Sequence, residues 1–135
     1  MKILIVDGQG GGIGKQLVAC IKQQLPSLVI TAVGTNTAAT AAMLKAGADN
    51  GATGENAVIV NSKKADFIVG PIGIVVADAM LGEITPAMAA TIAQSNAKRI
   101  LIPVNNCDNI IAGMPEKSMS ALVQSAVNEI AKFVS

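Results

Sequence analysis

KILIVDGQGGGIGK, residues 2–15, joins an apolar run to a glycine loop and then to the start of a helical pattern. Ile3-Leu4-Ile5-Val6 is apolar without interruption, as expected of a strand covered on both faces in a parallel sheet. Five of the seven residues 8–14 are glycine, a density that means left-handed torsions, close approach to another group, or both. From Gly12 the spacing becomes helical and continues to about Leu25, where Pro26 stops it. A glycine loop at a helix start points free N–H groups outward, where the helix dipole also favours negative charge. The dipole alone contributes about 0.3–1 kcal/mol, and several N–H bonds to one phosphate should matter more. The stretch predicts a strand–loop–helix unit that holds a phosphate-bearing ligand, with Lys15 as an added point charge.

The glycine spacing separates the kinds of loop this can be. G-x-G-x-x-G fails, because counting from Gly8 the last position is Ile13. The P-loop spacing fails too, since Gln9 stands at its first glycine and Gln16 replaces the magnesium-binding hydroxyl. G-x-x-x-G-x-G fits, as Gly8, Gly12 and Gly14. That loop resembles the cofactor loop of short-chain dehydrogenases/reductases, Ile13 included, except that Asp7 stands where that family usually has Thr. A carboxylate there repels a pyrophosphate unless it turns away to brace the loop or binds a ribose hydroxyl or a cation.

Outward from the loop, short β-branched runs alternate with helical stretches, which predicts βαβ units. Strands are expected at residues 2–6, 28–33, 67–69 and 99–104, with a short fifth at 109–112. Helices are expected at 12–25, 38–46, 55–64, a short turn at 75–81, 85–95, and an amphipathic one at 118–134. Met119, Leu122, Val123, Ala126, Val127, Ile130 and Phe133 line one face of the last. Val58-Ile59-Val60 reads equally as a strand, and 48–54 as a polar connection. The fold class is α/β: a three-layer Rossmann-like fold, a mainly parallel sheet of four or five strands in the order 3-2-1-4-5, helices on both faces. No linker, repeat or low-complexity segment divides residues 1–135, so a single domain is expected.

Composition removes several function classes. The net charge of +1 supplies no field for nucleic acid, and two Phe with no Tyr or Trp leave no stacking platform. The absence of His removes the usual zinc ligand and the usual proton shuttle at neutral pH. No metal is expected. No apolar run approaches the roughly 20 residues of a membrane span, and the N-terminus lacks a signal region; a cytoplasmic protein is expected. Short-chain dehydrogenase chemistry is excluded, because its Tyr has no counterpart here. Paired carboxylates, Asp7 with Asp108 or Asp78 with Glu83, are available, but no spacing singles them out.

In open parallel sheets ligands sit beyond the carboxyl ends of the strands. The expected ligand site therefore comprises Asp7, Gly8, Gln9, Gly10, Gly11, Gly12, Ile13 and Gly14, then Thr35 and Asn36, Gly70 and Pro71, and Asn105. Asn36 also reads as a helix cap, and Gly70-Pro71 as a packing turn. No acid after the second strand marks NAD, and no Arg welcomes the 2′-phosphate of NADP.

The stretches DGQGGGIGK (7–15), GTN (34–36), MLKAGAD (43–49), GATGEN (51–56), VGPIG (69–73), GEITP (82–86) and ILIP (100–103) resemble a family of small bacterial proteins classed as a domain of unknown function. The resemblance implies a Rossmann-like fold and a bacterial cytosolic setting, and it brings no catalytic residue or substrate. The sequence thus points to a nucleotide- or dinucleotide-binding module, for NAD, NADP or another nucleotide, acting as a homo-oligomer or as a subunit of a larger system. Two alternatives stand beside it: a small enzyme using Asp7, Asn105 and Cys107, or an oligomeric scaffold.

Overall fold

In the computed structural model, which describes residues 1–104, 109–114 and 116–134, the opening apolar run is strand β1, Lys2–Asp7, buried after its first residue. Ile3 and Ile5 face one layer and Leu4 and Val6 the other, the period-two alternation that places a strand between two helical layers. Around it lie β2 (Val29–Gly34), β3 (Asn50–Thr53), β4 (Phe67–Pro71) and β5 (Lys98–Ile102). All pairings are parallel and the order is β3-β2-β1-β4-β5. The expected order 3-2-1-4-5 stands, although the third strand is not the one the sequence suggested.

Helices α1 (Gly12–Gln24), α2 (Thr37–Lys45) and α5 (Met119–Ala131) cover one face, while α3 (Glu55–Ser62) and α4 (Pro86–Gln94) cover the other. Leu17, Val18 and Ile21 of α1 pack with Leu122, Val127 and Ile130 of α5. Val58, Met88 and Ile92 close the opposite core. Ser118 and Thr85 cap α5 and α4, accepting the amides of Ala121 and Met88, as hydroxyls at these positions should. Among the described residues no helix is long and apolar enough to cross a membrane.

Four expectations are corrected, and the helix expected at 55–64 is kept over its strand alternative. Residues 50–53, read as part of a connection, are edge strand β3, held to β2 by backbone pairing from Thr31↔Asn50 to Gly34↔Thr53. Three of its four residues are exposed, one of them a glycine, so it carries no hydrophobic alternation to read. Phe67–Pro71 is consequently the fourth strand, beside β1. Val58-Ile59-Val60 lies within a helix, because burial falls on Val58 and Ser62, four residues apart. Residues 75–81 are not helical. A 3₁₀ turn at Ile72–Val75 leads into turns with left-handed torsions at Asp78, Met80, Leu81 and Gly82, which no right-handed helix accommodates. Finally, residues 109–112 add only a lone bridge at Asn109. Phe133, expected on the buried stripe of α5, lies past the end of the helix, 48% exposed, with its ring 5.5 Å from that of Phe67.

Candidate functional site

The sheet has one position where the order of connection reverses. β1 runs beside β2 as far as Asp7↔Gly34, but its ladder with β4 ends at Ile5↔Val69. β4 continues with β5 to Pro71↔Ile102. The carboxyl end of β1 is therefore the switch point at which doubly wound sheets place ligands. Gly70 and Pro71, the last residues of β4, are buried beside it. A Cβ on Gly70 would stand 2.3 Å from the Val6 carbonyl oxygen, so this glycine permits strand contact, the packing alternative read from the sequence.

Asp7 is the last residue of β1 and only 5% exposed. Its Oδ1 accepts the Gly8 amide at 2.8 Å and its Oδ2 the Gly14 amide at 2.7 Å; the Ile13 amide also bonds to it. Helix α1 has Gly11 at its N-cap, in a left-handed conformation (φ 71) and without a capping side chain. The strand's own terminal carboxylate supplies the missing cap, satisfying N–H groups that a helix start otherwise leaves open. Burial pushes the Asp7 carboxyl above its ordinary range; the three amides oppose the shift, and the charge of Glu83 adds to it. Asp7 thus takes the inward, bracing orientation, one of the ways for a carboxylate to sit under an anion site. Gly14 makes this possible, since a Cβ there would meet the Met43 sulfur at 2.5 Å and Asp7 Cβ at 2.9 Å.

The bracing uses up much of the loop. Gly11 donates to the Gly8 carbonyl at 2.9 Å and Lys15 to the Gly11 carbonyl at 2.9 Å. Gly10 and Gly12 are exposed, and their amides have no hydrogen-bond partner among the described residues. Lys15 is exposed, and Ile13 packs its side chain on the core.

Above the loop sits a group the sequence did not place there. One oxygen of Glu83, Oε1, accepts the Gln9 amide at 2.8 Å, the Thr35 hydroxyl at 2.5 Å and the Asn36 Nδ2 at 2.8 Å. Asn36 also caps α2 through Oδ1, taking the Ala39 amide at 2.9 Å, and donates to the Gln9 carbonyl at 2.9 Å. The cap reading of Asn36 therefore holds, and the same side chain also binds Glu83 and the loop. The Thr35 hydroxyl first, then the Gln9 amide and Asn36, hold the Glu83 carboxyl below its ordinary range. Met80 joins Glu83 on Gly8: a Cβ there would lie 2.7 Å from its sulfur and 2.9 Å from Glu83 Oε1.

Asp7, Gly8, Gln9, Thr35 and Asn36 are thus brought together; Gly70 and Pro71 are buried at the end of β4 and not joined to this cluster by any hydrogen bond among the described residues, and Asn105, Cys107 and Asp108 fall outside the described residues. Of the carboxylate pairs read from the sequence, Asp7 with Asp108 falls outside the described residues; the charge that bears on Asp7 is that of Glu83. The signal for Glu83 was faint: an acid after glycine in the connection that leaves β4. Among the described residues no three of His, Cys, Asp and Glu gather as a metal group. Cys20 faces Gln124 across the α1–α5 interface, away from the loop, and burial pushes its thiol up.

A family model described as "Domain of unknown function (DUF3842)" matches residues 2–135, in line with the resemblance read from the sequence. Among solved structures the chain is similar to the crystal structure of a dodecameric FMN-dependent Ubix-like decarboxylase from Escherichia coli O157:H7. The identity is 16% and the TM-score 0.47, over 97% of this chain and 77% of that chain. No curated protein matches.

Proposed function

Starting from the fact that the chain belongs to the family described as Domain of unknown function (DUF3842), we propose that it is a binding module for a nucleotide or other phosphate-bearing ligand at the carboxyl end of β1. One observation carries this reading. Three neutral donors, from the β1–α1 loop and from the end of β2, converge on a single anionic oxygen. Charge-assisted bonds of this kind are roughly twice as strong as neutral ones, and a phosphate oxygen makes the same demand as the carboxylate that occupies the place. The exposed amides of Gly10 and Gly12 lie in the same loop, at the positive end of α1. Recognition works through N–H groups and a dipole rather than through a basic patch.

Asp7 does not serve as an acid or base here, since both of its oxygens are bound to amides. A binding role therefore fits the geometry better than the enzyme alternative. Native mass spectrometry of freshly purified protein, followed by calorimetry against NAD, NADP, ATP and flavin nucleotides, tests the reading. A retained phosphate-bearing ligand, or heat with any of the four, supports it. No heat and no retained mass, with wild type and with Glu83→Ala alike, removes it.

Self-association has its own observation. β3 is an open edge, flanked by Leu44 at 43% and Val60 at 39% exposure, with Leu44 lying against Gly51. Unpaired edges of this kind invite a second strand. A strictly monomeric mass by light scattering dismisses it.

A further inference from the structure

We propose that residues 76–85 form a lid over the anion site, held shut by Glu83, whose carboxylate is the site's resident anion and must leave before a ligand oxygen can enter. The inference rests on the binding reading above and adds its regulation: the closed protein inhibits itself.

Three independent features of the segment support this. First, Oε1 of Glu83 occupies all three converging donors, while Met80 lies over Gly8. Nothing else can share Gln9, Thr35 and Asn36 while Glu83 is in place. Second, the closed form is conformationally loaded. Asp78 (φ 67), Met80 (φ 59) and Leu81 (φ 56) are left-handed without being glycine, and so is Gln9 (φ 50) on the receiving side. Such torsions persist only where surrounding contacts over-determine them, and they cluster at switch segments. Third, the tip of the segment stands clear of the core that anchors it: Ile84 within it and Ile74 just before it are fully buried, whereas Leu81 between them is 94% exposed. Its own backbone bonds, Asp78 amide to Ile84 carbonyl (2.7 Å) and Gly82 amide to Asp78 carbonyl (3.0 Å), close it into a compact turn.

Charge acts in the same direction. The charge of Glu83 already bears on Asp7, and no ion pair to Lys15 offsets it among the described residues. A ligand that displaces Glu83 brings its own negative charge, so the two anions exclude one another and compete for one set of donors.

Hydrogen–deuterium exchange on the full chain, with inorganic pyrophosphate as the probe, tests the lid. In Glu83→Ala the amides of residues 76–85 and of Gln9 should exchange at least tenfold faster, with β1 and α5 unchanged. Glu83→Gln keeps an accepting oxygen and should show a smaller rise. Pyrophosphate should bind both variants at least tenfold more tightly than wild type. Unchanged exchange in residues 76–85 of Glu83→Ala, or equal pyrophosphate affinity in wild type and Glu83→Ala, overturns the lid. If the lid amides respond while pyrophosphate binds none of the three proteins, the lid stands and the anion-ligand reading falls. If β1 and α5 of Glu83→Ala also lose protection, Asn36→Asp replaces it. That change removes a donor to Glu83 and places a like charge beside it while keeping the cap on α2; because the new carboxylate would itself repel pyrophosphate, the exchange of residues 76–85 alone decides.

Discussion

Oδ2 of Asp7 and the amide of Gly14, seven residues apart in the chain, meet at 2.7 Å inside the turn that joins β1 to α1. The strand end therefore caps the helix that follows it, and the loop between them is held from within.

Asp7→Ala should strip the Gly8, Ile13 and Gly14 amides of their acceptor in a site from which water is largely excluded. A buried donor left unsatisfied costs about 1–3 kcal/mol, so urea denaturation should show a loss in that range. Asp7→Asn retains one acceptor oxygen and turns an NH₂ toward an amide; it should fall between wild type and Asp7→Ala. A variant as stable as wild type would mean the carboxylate is not the cap.

The glycines of the loop should divide sharply by position. At Gly12 a Cβ meets open space, and Ala there should stabilise the free protein by about 0.4–1 kcal/mol. At Gly14 it meets Met43 and Asp7, and Gly14→Ala should cost about 1–3 kcal/mol as α1 is pushed off the strand. Gly70→Ala, set against the Val6 carbonyl, should be worse still. Equal effects at Gly12 and Gly14 would contradict the placement of α1 on β1.

Asn36 separates cap from site. Asn36→Ala loses the cap on α2, typically about 1 kcal/mol, and also the donor to Glu83. Asn36→Ser keeps a capping oxygen without adding charge beside Glu83, so thermal or urea unfolding should place it nearer to wild type than Asn36→Ala. If the alanine variant is as stable as the serine one, the α2 cap contributes nothing.

Acid should act on the two carboxylates in opposite directions. Glu83 is held low by the Thr35 hydroxyl, then the Gln9 amide and Asn36, so the folded protein prefers it ionised. Its contribution is complete above the ordinary glutamate value of about 4.3 and is lost as pH falls through the lowered folded value. Asp7 is raised by burial, so the folded protein keeps its proton longer than the unfolded chain does. Its contribution declines as pH rises from about 3.9 through the raised value. The stability difference between wild type and Glu83→Gln should be flat near neutrality and should shrink below about pH 4. The difference between wild type and Asp7→Asn should fall as pH rises through the acid range. Matching acid slopes in wild type and Glu83→Gln would mean that Glu83 is not held in the folded form.

Much of the architecture is written locally. Ile3-Leu4-Ile5-Val6 and Phe67-Ile68-Val69 announce buried strands because each residue must be apolar on whichever face it lands. Five glycines before a helical pattern announce a tight loop at a helix start, and Thr85-Pro86 marks the start of α4. The three-layer frame and the loop at the carboxyl end of β1 follow from such stretches alone. What they omit is held by bonds between distant residues. β3 is a strand only because β2 offers a free ladder, and its exposed side chains leave no trace of it. The direction of Asp7 depends on amides that come within reach only once α1 has docked. Glu83 lies 48 residues from Thr35 in the chain, in turns whose left-handed torsions have no local signature in Asp78, Met80 or Leu81. Periodicity carries information about burial, which is averaged over many residues. A single hydrogen bond across the sheet edge is decided by the folded geometry and by nothing nearer in the chain.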